Sequence, residues 1–163
     1  MVSPKNTIVS RKNKLSILLR KVKRYLASLF WLKPCAGGIC TRKRGNSIEL
    51  LCICHKKGTI MLPKWGCKVG ETLEESAIRE FREETGIFDF KLGEMIGVVR
   101  DRKRRKKTTF FHIEKPGKQH GHMKDEATLW VKIEDALPDM RHNGERKLVK
   151  GYLERLASLD FTN

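Results

Sequence analysis

The sequence predicts an α/β sandwich built on a mixed β-sheet. Three observations carry this. Short apolar-rich runs of strand length recur between residues 37 and 133. Among them, Leu73 to Thr85 has helical periodicity with its own start and stop signals. A second helical pattern closes the chain. The order strands, helix, strands, helix is that of a sheet covered by helices.

The elements follow in order. Residues 1–10 read as a disordered leader. From Lys14 to Trp31, the residues Leu15, Leu18, Leu19, Val22, Tyr25, Leu26, Leu29 and Phe30 fall at spacings of three and four. They draw one helical stripe. Arg20, Lys21, Lys23 and Arg24 fill the other face, and Pro34 ends the helix. Such a helix can dock on the protein's own core, lie on an anionic membrane or serve as a cleaved targeting segment. The expected division is therefore 1–34 as a basic leader and amphipathic helix, and 35–163 as the folded domain. Gly37–Arg42 and Ile48–His55 read as strands joined by the basic turn Arg42–Asn46. Thr59–Leu62 reads as a third strand stopped by Pro63, and Cys67–Thr72 as a loop. Thr72 with Glu75 three residues on is a capping box. Leu73, Ala77, Ile78 and Phe81 supply the buried stripe of the helix that follows, and Gly86 suits its left-handed end. Strands are expected at Leu92–Val99, Thr108–Ile113 and Ala127–Ile133. A last helix is expected over Glu145–Ser158, with Leu148, Val149, Tyr152, Leu153 and Leu156 facing inward.

Charge narrows the function classes. The chain has 35 Lys and Arg against 19 Asp and Glu, a net +16. Twelve of the basic residues lie in residues 1–48, where no acid occurs before Glu49. Such a field attracts polyanions: nucleotides, RNA, inositol phosphates or anionic lipid. With 39% apolar and 33% charged residues the chain is neither collagen-like nor wholly disordered. No stretch free of Asp, Glu, Lys and Arg exceeds eight residues. That excludes a spanning helix, which needs about 20 apolar residues. A secretory signal is not recognisable either. Cys35, Cys40, Cys52, Cys54 and Cys67 form no C-x-x-C pair, which suits reduced thiols in a cytoplasmic protein.

The most informative stretch is Leu62 to Ile87. Glu80, Glu83 and Glu84 stand at i, i+3 and i+4, so a helix puts them on one face. Like charges so placed repel. The residues alone leave two readings open: a solvated acidic face, or a set of oxygen ligands for a hard cation such as Mg²⁺ or Mn²⁺.

Gly70-Glu71, followed by Arg79-Glu80-Phe81-Arg82-Glu83-Glu84-Thr85-Gly86-Ile87, resembles the Nudix box of the Nudix hydrolases. Glu71 stands eight residues before Arg79, as that pattern asks. Ala36-Gly37-Gly38, Leu62-Pro63-Lys64, and Trp130-Val131 through Asp135-Ala136-Leu137 resemble the flanking parts of the family. The resemblance implies a Nudix-type α/β/α sandwich and a Mg²⁺- or Mn²⁺-dependent hydrolysis of a phosphoanhydride bond. It assigns the metal to Glu80, Glu83 and Glu84, with Glu71 and a backbone carbonyl at Gly38. Arg79 becomes the partner that holds a carboxylate in place. Glu83 is the first choice of general base, and Glu126, in the loop before the closing strand, is the second.

Two departures stand out. Trp65 occupies the position of the box's first glycine, and Gly66 follows one residue later. Lys68 stands where many members carry an acid. A glycine there is expected to serve a backbone conformation that residues with a Cβ adopt poorly.

Arg100 to Lys107 holds seven basic residues of eight between two expected strands. It reads as a solvated hairpin turn or as a phosphate-contacting rim. Lys64, Arg102, Arg104, Arg105, Lys107 and Phe111 are the substrate-binding candidates. The family reading favours a nucleoside polyphosphate, diadenosine polyphosphates ahead of simple triphosphates. Two alternatives stand beside it: a diphosphoinositol polyphosphate hydrolase, and a non-catalytic module binding RNA or anionic membrane through its basic surface. The expected location is the cytoplasm, with membrane-peripheral placement or organelle targeting through residues 1–31 as further readings.

Overall fold

The computed structural model describes residues 32–54, 58–120 and 127–160, with side chains to Ser158. The helix expected over 14–31, the strand end at His55, and Glu126 lie outside the described residues. The strands are β1 (Lys33–Arg44), β2 (Ser47–Cys54), β3 (Ile60–Met61), β4 (Lys64–Gly66), β5 (Lys91–Asp101), β6 (Lys106–Glu114) and β7 (Ala127–Lys132). The helices are α1 (Leu73–Thr85), α2 (Ile133–Asp139) and α3 (Asn143–Asp160).

The strand order is β3-β2-β1-β6-β5, with β4 added to β1 and β7 to β2. β1 runs parallel to β6, and every other pairing is antiparallel. The sheet is mixed, as the sequence predicts. β1 changes partners along its length. Lys33–Cys40 pairs with β6, while Thr41–Arg44 pairs with β2.

Both faces of the sheet are covered, and adjacent strand residues serve opposite sides. Ile39, Leu50, Cys52 and Phe110 pack with Ala136, Val149 and Tyr152 of α2 and α3. Cys40, Leu51 and Ile113 pack with Phe81 of α1 on the other side. The result is an α/β/α sandwich. The three cysteines within it are buried, and burial pushes the Cys40 and Cys52 thiols up to about 12. All five cysteines are free.

α1 has the expected bounds. The Glu75 N–H donates to Thr72 Oγ1 at 3.1 Å, and the Thr72 N–H to Glu75 Oε2 at 2.9 Å. Gly86 closes the helix at φ 67°. The buried stripe is wider than the apolar pattern implies. Ala77 and Phe81 are buried, Leu73 and Ile78 only half so, and Glu80 and Glu84 are buried with them.

Two elements differ from expectation. β4 has no counterpart among the expected elements, because three residues after a proline show no period. The strand expected to reach Ile133 stops at Lys132, and α2 begins there without a side-chain cap and with Pro138 inside it. Both usual helix signals are missing from that segment. No described helix is long and apolar enough to cross a membrane.

Candidate active site

Close approach of backbone seats the carboxylate helix. A Cβ on Gly37 would lie 2.4 Å from the Pro63 carbonyl oxygen, and one on Gly38 would lie 2.9 Å from the Phe81 ring. Only glycines let β1 run between the Pro63-Lys64 turn and α1. The Gly38 N–H donates to the Pro63 carbonyl at 3.0 Å. One residue on, the Lys64 N–H donates to Glu84 Oε2 at 2.8 Å. The start of β4 is thereby fixed to the helix, and Thr128 Oγ1 ties β7 to the Glu84 carbonyl at 2.9 Å.

Arg79 organises the other carboxylates. Its Nε and Nη2 form a fork on Glu71, at 2.7 and 2.8 Å. Its Nη1 donates to Glu80 and stands 3.5 Å from Glu83 Oε2. The Lys68 N–H adds a further bond to Glu71 at 2.8 Å. The Arg79 fork first, and that N–H second, hold the Glu71 carboxyl down at about 2. Arg79 itself is shifted upward by the same pairing.

Among the described residues, no three His, Cys, Asp or Glu side chains stand grouped as a metal cage. Arg79 draws Glu71, Glu80 and Glu83 toward itself, and β4 takes up Glu84. The donor set nonetheless fits a hard divalent cation. Glu80 is 2% exposed and Glu84 8%, and both are carboxylates. Carboxylate oxygens gathered on one helix face are the donors that such an ion takes.

A cavity of about 810 Å³ opens beside Glu84. Lys64 and Trp65 form one wall. Arg100, Arg102, Lys103, Arg104 and Lys106, at the tip of the β5–β6 hairpin, form another, and Arg141, His142 and Glu145 at the start of α3 complete it. The walls are wired together. Lys64 Nζ pairs with the buried Glu145 at 3.2 Å. Arg104 Nη1 bonds Asp101 Oδ2 at 3.0 Å and His142 Nδ1 at 3.1 Å. Arginine can only donate, so His142 Nδ1 accepts and the ring is neutral. Burial first, then the charges of Lys64, Arg104 and Arg141, press His142 down to about 4. Burial raises Glu145 above its ordinary value, against the opposing pull of Lys64.

Residues 31–152, well over half of the chain, match the NUDIX domain. This chain belongs to the Nudix family. No curated protein matches it in sequence. Among solved structures, it is similar to a Caenorhabditis elegans Ap4A hydrolase in a binary complex, with 21% identity and a TM-score of 0.65 over 76% of this chain and 98% of that one. It is also similar to a Nudix hydrolase from Nitrosomonas europaea, with 12% identity and a TM-score of 0.61 over 76% and 89%. A third likeness, in a study of MutT from Aliivibrio salmonicida and Vibrio cholerae, has 19% identity and a TM-score of 0.57 over 72% and 92%. At such identities the likeness is one of fold.

Within this Nudix fold the expected site residues divide. Glu84, Lys64, Arg102 and Arg104 share the large cavity. Glu83 and Arg79 line a smaller cleft of about 360 Å³ with Ile78, Arg82 and Phe88. Arg105 and Lys107 are not among the walls of either cavity. Arg105 instead turns the hairpin at φ 55° and accepts from the Lys33 N–H at 2.7 Å. Phe111 was expected to meet substrate. It is 5% exposed and packs with Ala36 and Ala77, because β6 is a central strand covered on both faces.

The expectation about the box glycine also changes. Trp65 sits in β4 opposite Ala36, in ordinary strand pairing. Gly66 has no positive φ, and a Cβ there meets nothing within 4 Å. The left-handed turn belongs to Gly70, at φ 82°. Asp101, Arg141, His142 and Glu145 escaped sequence reasoning, since no spacing links them to the carboxylate helix.

Proposed function

We propose that this chain is a divalent-metal-dependent pyrophosphohydrolase of nucleoside polyphosphates, diadenosine polyphosphates ahead of simple triphosphates. The observation that carries this is the shared cavity: Glu84 faces a rim holding Arg100, Arg102, Lys103, Arg104 and Lys106. One carboxylate of the set that suits Mg²⁺, Glu84, thus opens onto cations that suit a string of phosphates.

Glu80, Glu83 and Glu84 are the residues that would hold the metal, with Glu71 and Gly38 as the further candidates. A bound divalent ion supplies charge neutralisation and a more acidic water. The chain's own residues do the remaining work. Arg79 keeps Glu71 ionised and holds Glu71, Glu80 and Glu83 in place. The Lys64 N–H fixes the direction of Glu84. The hairpin cations take the phosphates beyond the bond that breaks, which adds binding and orientation. Glu83 is the proposed proton acceptor for the attacking water. Its side chain is 32% exposed, while that of Glu80 is 2% exposed. The basic N-terminal segment is proposed to make a contact with anionic membrane.

A substrate panel with phosphate and nucleotide readout tests the reading. Diadenosine tetraphosphate, nucleoside triphosphates and diphosphoinositol pentakisphosphate are compared with and without Mg²⁺. Turnover of the nucleotides that chelation abolishes is the expected result. Turnover confined to the diphosphoinositol compound moves the assignment to that class, and none on any substrate overturns the reading.

A further inference from the structure

We propose that Trp65 is the platform on which the substrate's aromatic base stacks, which makes the enzyme selective for base-bearing polyphosphates over base-free ones. The inference rests on the nucleotide reading above and names the part of the site that recognises the nucleoside.

Trp65 is 59% exposed, although it pairs with the fully buried Ala36. A tryptophan that served the core would hide its ring, since that ring is among the largest apolar payloads a fold can bury. Here the ring stands in the wall of the 810 Å³ cavity. That volume lies in the range of small-molecule sites, ~300–1,000 Å³.

The neighbours of Trp65 fix its distance from the chemistry. The Lys64 N–H holds Glu84, and the Gly66 carbonyl accepts from Arg79 Nη2 at 3.3 Å. The residues on both sides of the ring are thus bonded to the carboxylate helix. Lys106 Nζ lies over the ring, 4.6 Å from its centroid, and lines the same cavity. A flat apolar ring with an ammonium seated over it matches a nucleotide: a phosphate draws the flexible Lys106 ammonium to itself, and the base takes the ring face. An inositol polyphosphate has nothing planar to stack.

The sequence makes the same point. Trp65 stands where the family's box has glycine, and neither Trp65 nor Gly66 has a backbone conformation that needs glycine. The position is free to carry a functional side chain.

The test is equilibrium calorimetry on the full chain with Mg²⁺, comparing a non-hydrolysable ATP analogue with inorganic tripolyphosphate. Trp65→Leu removes the π-face and keeps an apolar residue, and Trp65→Phe restores a ring. In the wild type the analogue is expected to bind more tightly than tripolyphosphate. Trp65→Leu is expected to cut that preference about tenfold, the effect of losing one stacked base, and Trp65→Phe to recover most of it. Circular dichroism checks that both variants fold. Trp65→Leu weakening both ligands equally, or neither, overturns the proposal, as does a wild type that binds the analogue no better than tripolyphosphate. Because binding is read without turnover, failure of the hydrolase assignment appears separately, in the substrate panel.

Discussion

A single guanidinium, that of Arg79, serves three carboxylates, and this sets what each glutamate can tolerate. Glu80 is buried, so neutralising it disturbs packing as well as charge. Glu83 lies at the edge, 3.5 Å from Arg79, with a third of its side chain exposed. Glu83→Gln therefore separates chemistry from folding. Steady-state kinetics at saturating Mg²⁺ should show turnover reduced by about 100-fold or more, with the unfolding midpoint nearly unchanged. A variant turning over at the wild-type rate would remove Glu83 from the mechanism.

His142 gives a second residue-scale outcome. Its folded-state value, about 4, lies below the ordinary 6.5. Between those limits the unfolded chain binds a proton that the folded chain refuses, so stability falls as pH drops from 6.5 toward 4. Glu145 works the other way. Its raised value means stability declines as pH rises from about 4.5 through its folded-state value. His142→Gln should remove the first slope and leave the second. Urea midpoints at pH 4.5 and 7 should differ less in the variant than in the wild type, and an unaltered difference would assign the slope to other groups.

At the scale of elements, α1 was legible to the residue because its signals are local: a capping box, a glycine stop and a repeating apolar face. The carboxylates Glu80, Glu83 and Glu84 were legible for the same reason. β4 and α2 were not, since one is too short to show a period and the other starts without a cap. The cavity was legible by halves. The basic run at 100–107 pointed to a rim, but its division into residues that face the cavity and residues that build the turn depends on the β5–β6 register. Asp101 pairs with Lys106 across the strands, and Arg105 is left in the tight turn. The contribution of α3 depends on tertiary contacts alone.

The hairpin carries its own outcome. Arg104 is engaged with Asp101 and His142, whereas Arg102 and Lys103 are exposed at the rim. Replacing both Arg102 and Lys103 with Gln should raise KM more for a diadenosine polyphosphate than for a nucleoside triphosphate, because only the longer phosphate string reaches past the carboxylate helix. Turnover should change little, as such contacts bind ground and transition states alike. At about 1 M salt, where screening acts within about 3 Å, the difference should disappear. Equal KM changes for both substrates would return the hairpin to a solvated turn.

For the molecule as a whole, the distribution of charge separates the NUDIX domain from the chain that precedes it. Residues 1–31 contain eight Lys and Arg and no acid, so half of the net +16 lies there. The family match begins at residue 31. From Lys33 onward the fold satisfies its own edge: the Lys33 N–H bonds Arg105, and Cys35 to Cys40 are buried between β4 and β6. Deleting residues 1–31 should therefore leave a folded enzyme whose far-ultraviolet circular dichroism shows cooperative melting and whose kcat/KM is close to that of the full chain. Binding to vesicles rich in phosphatidylserine should weaken steeply, since each Lys or Arg near such a surface contributes about 1 kcal/mol. The two readouts discriminate between the roles open to the segment. Loss of vesicle binding with activity kept makes it a membrane contact. A truncated chain that is insoluble or melts without cooperativity makes it part of the core, and the stripe from Leu15 to Phe30 then packs against the sandwich rather than against lipid.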